Sequence, residues 1–341
     1  MRVAIFGAAG YGGIELIRLL RRHPEAELVY LADPACERLS DAYPHLGGTL
    51  DIEMQPPDVD RAIAAAETIF FCLQPGLATE MVATAVQAGR RVLDFSADFR
   101  LKSREVYESF YAAHKAPDLL GKAPYGLPEL HRDEIRGAQL VAVAGCHPTA
   151  AILALAPAVK AGLVDLDTLC MDNKTGISGV GRSHVNLLNH YPEAAETVLP
   201  YGMPAHRHRP EIEQELGLLA GREVRVTFAP SRIPMARGIL STCFAQLTGD
   251  PADVRPAYEA FYAAEPFVRL MPQGKLPQTK QVSGTNYCDV GVSLDERVGR
   301  LVAFAAVDNI VKGLSGAAVQ CWNLMCGFEE TTGLTEAALW P

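Results

Sequence analysis

The chain opens RVAIF-GAAGYGG-IELIRLLRRHP, then AELVYLAD. A short apolar strand runs into a glycine turn, an amphipathic helix and a second strand. This order constrains the fold more than any other feature, because a strand that leaves through a tight turn into a helix and returns parallel to itself begins a doubly wound sheet. The alternation continues with AETIFFCLQ as a strand, LATEMVATAVQAGR as a helix, and RVLDFS and QLVAVAG as strands. The glycines at 7, 10 and 13 give G-x-x-G-x-x-G, a relative of the dinucleotide fingerprint. Such a turn lets backbone N–H groups approach a pyrophosphate at a helix N-terminus. Gly7, Ala9, Gly10, Tyr11, Gly12 and Gly13 are the candidate cofactor residues of this loop; a ligand-free βα turn is the plainer reading, and position at the N-terminal strand favours the cofactor. Asp33 closes the second strand where an acid would bind the ribose 2′-hydroxyl of NAD, or serves as a turn residue before Pro34. Arg38 nearby is a candidate for the 2′-phosphate of NADP.

Past residue 145 the texture changes. TLCMDNKTG, EVRVTFAPSRI, GILSTCFAQLT, YCDVGVSLDE and RLVAFAAVDN alternate over longer stretches and predict a mostly antiparallel sheet. The expected fold is therefore α/β: a Rossmann-type domain over 1–145 and 312–341, with the last helix returning to it, and an α+β catalytic and dimerisation domain over 146–311.

Between these textures lies VAVAGCHPTAAILALAP. Gly145 ends a strand and His147-Pro148-Thr149 opens a helix, with proline in the first turn where its missing N–H costs nothing. Cys146 thus stands at a helix N-terminus, where unpaired N–H groups and the helix dipole favour a thiolate. The alternatives are a nucleophile or a buried cysteine in a tight turn; the junction favours the nucleophile. A thiolate beside a nicotinamide suits one chemistry, attack on an acyl phosphate followed by hydride reduction of the thioester. That chemistry needs a proton-transfer partner. MPAHRHRPEIEQEL offers His206 and His208, with Pro210 and Glu211 starting a helix; no third ligand accompanies the pair, so a metal is not expected. Of the nine histidines, His23, His114 and His190 read as solvated positions, and His147 as a neighbour of Cys146 pointing away from it. Arg100, in DFSADFRL, either holds a phosphate at the strand ends or pairs with Asp98 on the surface. The glycine-rich NKTGISGVGRS offers backbone N–H groups or Arg182 to an anion, and Arg207, Arg209, Arg232 and Arg237 are further candidates for a carboxylate.

Composition excludes several classes. With 31 basic and 40 acidic side chains the formal net charge is −9, unlike the basic footprint of a nucleic-acid binder. The eight cysteines show neither CxxC nor structural-zinc spacing, and most lie in apolar runs as small buried hydrophobes. Reduced thiols point to the cytoplasm. The glycine-rich N-terminus does not read as a signal h-region, and no apolar run is long enough for a bilayer. The apolar, β-rich second domain suggests a homodimer or homotetramer.

Taken in order, GAAGYGGIEL, DFSADFRL, PYGLPEL, AGCHPTAA, GISGVGRS, HRHRPEI, RGIL and DNIVKG resemble the N-acetyl-gamma-glutamyl-phosphate reductase family of arginine biosynthesis, grouped with the aspartate-semialdehyde dehydrogenases. The resemblance covers essentially the whole chain. It implies NADPH-dependent reduction of N-acetyl-glutamyl 5-phosphate to the semialdehyde with release of phosphate. By position it makes Cys146 the nucleophile and His206 the acid/base. It puts Arg100, Ser178, Arg182, His208 and Glu211 on the substrate, and Gly179 and Asn309 near the cofactor. The chain departs from the family at Ala144, usually proline, and His147, usually aromatic; Asp33 replaces a small polar residue, which leaves NAD open beside NADP. The same chemistry on a carrier-bound aminoadipyl or glutamyl phosphate is the nearest alternative. A Cys–His hydrolase and a dinucleotide-sensing regulator are the readings from other classes.

Overall fold

A computed structural model describes residues 1–340. They divide into two compact units, one comprising Met1–Ala144, Gly181–Ser183 and Leu314–Thr335, the other Gly145–Val180, His184–Gly313 and the residues from Glu336 onward. Against the division expected from sequence, Gly145, Lys312 and Gly313 cluster with the second unit. The short Gly181–Ser183 segment clusters with the first unit, and the residues after Thr335 cluster with the second rather than with the dinucleotide domain.

The first unit is built on six strands: β1 (Arg2–Phe6), β2 (Glu27–Ala32), β3 (Thr68–Phe71), β4 (Arg91–Asp94), β5 (Tyr125–Gly126) and β6 (Leu140–Val143). They stand in the order β2-β1-β3-β4-β6-β5, all pairs parallel. The order reverses direction at β1, and such switch points are where open α/β sheets bind ligands. The strands read as unbroken apolar runs because both faces are covered: β3 and β6 are buried at every residue. One cover is the helix Gly316–Cys326, buried nearly throughout. Its Trp322 packs edge-on to Phe70 and donates from the indole N–H to Thr68.

The second unit carries seven strands: β7 (Cys170–Thr175), β8 (Leu199–Pro200), β9 (Thr227–Arg232), β10 (Ile239–Gln246), β11 (Val268–Leu270), β12 (Cys288–Asp295) and β13 (Arg300–Val307). Their order is β11-β12-β13-β10-β7-β9-β8. The sheet is mostly antiparallel; β7–β9 and β11–β12 are the parallel pairs. β10 alternates buried and half-buried residues along its whole length, the signature of a sheet with one face on a core. The helix Cys146–Lys160 lies on that face, buried from His147 to Val159, and the Tyr258 and Tyr262 hydroxyls donate to its carbonyls at Ala154 and Leu153.

Two histidine expectations fail. His23 and His114 are 3% and 6% exposed, not solvated. The His23 ring sits 4.8 Å from Trp322 with its Nε2 2.8 Å from Asn323 Oδ1, and burial pushes its pKa down. His114 Nε2 lies 2.7 Å from the Asp98 carbonyl oxygen. Each carries a polar partner from another segment that lets an imidazole enter a core, which helical or loop spacing alone does not reveal. His190 is exposed, as expected.

Candidate active site

In the first unit the glycine loop joins β1 to the helix Tyr11–Leu20. Gly7 has φ +77°, and a Cβ there would stand 2.4 Å from the Cys72 carbonyl oxygen; a Cβ on Gly13 would stand 2.2 Å from Gly7 O. Only glycine permits this closeness of turn, helix and β3, so the loop keeps bare backbone at the helix start, as a pyrophosphate cradle requires. The Ser315 hydroxyl donates to Gly12 O at 2.8 Å and ties the loop to the C-terminal segment.

Asp33 is spent on this scaffold. Its Oδ2 accepts the Ala9 N–H and its Oδ1 the Ala35 N–H, both at 2.9 Å. Tyr43 donates its hydroxyl to Ala9 O at 3.0 Å, and the Arg182 guanidinium lies 5.0 Å over the Tyr43 ring while donating to Ala42 O. Arg182 therefore sits at the glycine loop, within the first unit; Ser178 and Gly179, its neighbours in sequence, belong to the second. Arg38 donates from Nε to Asp51 at 2.8 Å, an exposed contact.

Arg100 is 7% exposed and Asp98 fully buried, so neither is a surface residue. Arg100 donates from Nε to Val143 O and from Nη2 to Phe95 O, each at 2.7 Å, clasping the ends of β4 and β6. Asp98 accepts from the Gly76 N–H, the Thr79 hydroxyl and the Tyr107 hydroxyl. Beside them Asp94 is buried enough for its pKa to be pushed up to about 7.

The second unit holds the sulfur. Cys146 is the first residue of its helix and Gly145 the N-cap. Glu211, 1% exposed, accepts the Gly145 N–H at 3.2 Å and anchors the turn; its other oxygen is 4.0 Å from His208 Nε2. Glu211 reaches this place because Pro210 and Glu211 fall in the first turn of the helix Arg209–Ala220, as the HRHRPEI run predicts. A Cβ on Gly313 would stand 2.8 Å from the Cys146 Cβ, so a bare backbone at 313 leaves room for the nucleophile.

His206 belongs to a tight set of rings. It lies 5.0 Å from His208, 5.2 Å from Phe228, 5.3 Å from Tyr201 and 5.7 Å from His147. Burial, with Arg207 adding to it, pushes the His206 pKa down to about 4. A neutral imidazole at neutral pH is a base, ready to take a proton from a thiol or hydroxyl. His147 is 2% exposed, with its pKa pushed down to about 3 by burial and then by His206.

His147 therefore does not point away from the chemistry, and the sequence reading missed it along with Tyr201, Asn173 and Gly313. The one available signal was that a polar ring stands where an aromatic one is usual. Ser178 and Asn309, expected at substrate and cofactor, meet at 3.0 Å, and Asn309 Oδ1 accepts the Gly238 N–H at 2.7 Å; Gly179 lies beside the Asn309 amide. Among the other arginines, Arg209 donates to Pro204 O, Arg237 pairs with Asp308 at 3.5 Å, and Arg232 lies over Tyr201 at 5.2 Å. Among the described residues no cluster of His, Cys, Asp and Glu could hold a metal, and no helix is long and apolar enough to cross a membrane.

A glycine loop at a sheet switch point and a cysteine at a helix N-terminus beside neutral histidines match a known pairing. Residues 2–138 match a family model described as semialdehyde dehydrogenase, NAD binding domain, and residues 146–309 one described as semialdehyde dehydrogenase, dimerisation domain. The fold is similar to aspartate semialdehyde dehydrogenase II of Vibrio cholerae, with TM-score 0.73 and 17% identity over 96% of this chain and 98% of that one. It is also similar to the Candida albicans enzyme solved with NADP, at 0.71 and 16% over 95% and 98%. Among curated relatives, N-acetyl-gamma-glutamyl-phosphate reductases of Syntrophobacter fumaroxidans and Pelotomaculum thermopropionicum are 47% and 46% identical, spanning this chain completely and 100% and 99% of their own. The chain belongs to the N-acetyl-gamma-glutamyl-phosphate reductase family, an oxidoreductase branch of the semialdehyde dehydrogenases. Its first unit is a nicotinamide dinucleotide-binding domain, which the glycine cradle fits.

Proposed function

We propose that this protein reduces N-acetyl-L-glutamyl 5-phosphate to N-acetyl-L-glutamate 5-semialdehyde and phosphate with NADPH, in arginine biosynthesis, through a Cys146 thioester. The observation that carries the reading is a cysteine at the first position of a buried helix with two neutral histidines, His147 and His206, packed at the same helix start. The Cys146 thiolate attacks the acyl carbon, the C–S bond forms and the C–O bond to phosphate breaks. The bound nicotinamide dinucleotide supplies the hydride. His206, neutral before the reaction, takes the proton that Cys146 gives up and returns it to the leaving phosphate oxygen; once hydride has reached the thioester carbon, the C–S bond breaks and frees the semialdehyde and the Cys146 thiolate. Glu211 fixes the turn that aims the sulfur, with His208 at its side, and Ser178 and Arg100 are proposed to face the substrate. Gly179 and Asn309 are proposed to face the nicotinamide end of the cofactor.

For the coenzyme, NADP is the better reading. Both oxygens of Asp33 already serve backbone N–H groups, so they are poorly free for a ribose hydroxyl. Arg38, in the turn after β2, and Arg182, over the Tyr43 ring, are the cations offered to a 2′-phosphate, a role that replaces substrate binding for Arg182. Assembly as a homodimer or homotetramer through the second unit accompanies this reading.

The test is the reverse reaction, phosphate-dependent reduction of NADP⁺ by N-acetyl-glutamate semialdehyde, with NAD⁺ in parallel. Wild type turns over with phosphate present and Cys146→Ser does not; activity retained in the serine variant refutes the mechanism. Faster turnover with NAD⁺ than with NADP⁺ refutes the coenzyme assignment.

A further inference from the structure

His147 takes part in a buried polar chain drawn from four elements. The Ser241 hydroxyl, on β10, donates to Asn173 Oδ1 at 2.7 Å. That contact turns the Asn173 amide nitrogen, on β7, toward His147 Nδ1 at 3.3 Å. An amide N–H₂ facing Nδ1 makes Nδ1 the acceptor, so the imidazole proton resides on Nε2. Nε2 lies 2.8 Å from the Tyr201 hydroxyl oxygen, and Tyr201, just past β8, is held by its own N–H to Pro230 O at 3.0 Å. Ser241, Asn173 and His147 are each at most 2% exposed. A chain this dry is costly unless every group in it is satisfied, and it fixes orientation when it is.

The consequence falls on Tyr201. Because its oxygen accepts from His147, its own proton must be donated elsewhere. We propose that His147 is a positioning residue: held as the Nε2–H tautomer by Asn173 and Ser241, it donates to Tyr201 and turns the Tyr201 hydroxyl proton toward the Cys146 sulfur. The hydroxyl then stabilises the thiolate, supplementing the helix N-terminus. Burial first and then the negative charge of Cys146 push the Tyr201 phenol up, so the two groups lie within electrostatic reach of each other. The other ionisable groups around this pair are His206, His208 and Glu211 from the HRHRPEI turn, Arg207 beside them and Arg232 from β9. The arrangement depends on a side-chain donor at 147, which phenylalanine there would not offer.

The inference rests on Cys146 being the nucleophile, but its test reads the thiol directly and needs no turnover. The rate of Cys146 alkylation by iodoacetamide, followed on its own peptide by mass spectrometry from pH 5 to 10, gives the apparent thiol pKa in wild type, His147→Phe, Tyr201→Phe and the double variant. Loss of one hydrogen bond to a charged group corresponds to a rise of about one pH unit. Each single variant is expected to show that rise, the double variant no more than either, and His147→Gln, which keeps an N–H donor, a profile near wild type. Tyr201→Phe removes only a hydroxyl and decides the matter if His147→Phe does not fold. An unchanged profile in Tyr201→Phe, or single shifts that sum in the double variant, overturns the proposal. Failure of the proposed function itself would show instead as a Cys146→Ser enzyme that still turns over.

Discussion

The glycine loop of the first unit and the ring cluster of the second contrast in how they are made. The loop is local: one strand, seven residues and one helix, its geometry dictated by the absence of side chains at Gly7 and Gly13. The cluster is assembled from distant pieces. His147 comes from a helix start, Asn173 and Ser241 from neighbouring strands, Tyr201 from beyond a short edge strand, and His206 from the HRH turn. A site made of backbone is set by short-range sterics, whereas one made of buried polar side chains depends on every member being in place.

That contrast can be broken most sharply at His206. If it is the acid/base, His206→Gln should lower kcat by roughly 10²–10⁴-fold with little change in KM, measured in steady state; a fall in affinity alone would make it a binding residue. At the loop, Gly13→Ala forces a Cβ to within 2.2 Å of Gly7 O. The backbone must shift, so dinucleotide affinity should fall at least about tenfold by titration calorimetry. The fold should lose about 1–3 kcal/mol, as overpacking typically costs, while the Cys146 alkylation profile stays that of wild type. Equal damage to both readouts would mean that the two regions are not separable.

Smaller effects sharpen the comparison. His147 has its folded-state pKa near 3, below the ordinary 6.5, so the unfolded chain takes up the proton first. The stability it contributes is complete above about pH 6.5 and is lost as pH falls toward 3, at about 1.4 kcal/mol per pH unit within that window. Acidification from pH 7.5 to 5.0, followed by urea unfolding at both, should therefore cost His147→Phe about 2 kcal/mol less than it costs wild type. Asp94, raised to about 7, acts in the opposite direction in the first unit and is common to both proteins, so the difference between them isolates His147.

The same contrast explains what could be read from sequence. The parallel sheet, the mostly antiparallel sheet, the helix opening at Cys146 and the helix opening at Pro210 all follow from local periodicity, glycine and proline. Arg182 did not, because the chain after Gly179 turns to Tyr43, a residue far away in sequence. Arg100 reads from sequence as either a phosphate ligand or a surface partner of Asp98, and its hold on the Phe95 and Val143 carbonyls depends on two strands ending side by side. His23 and His114 looked solvated because their partners, Asn323 and the Asp98 carbonyl, lie on other segments. Local chemistry was legible; which side chain meets which across the core was not.

The central claim is a covalent one, and the most direct measurement leaves the reductant out. Wild-type protein mixed with N-acetyl-glutamyl phosphate and no NADPH should release a burst of about one phosphate per active site as the C–O bond breaks. Intact-mass and peptide analysis should then find the N-acetyl-glutamyl group on Cys146, removable by hydroxylamine. No burst, or an adduct on any residue other than Cys146, contradicts the account.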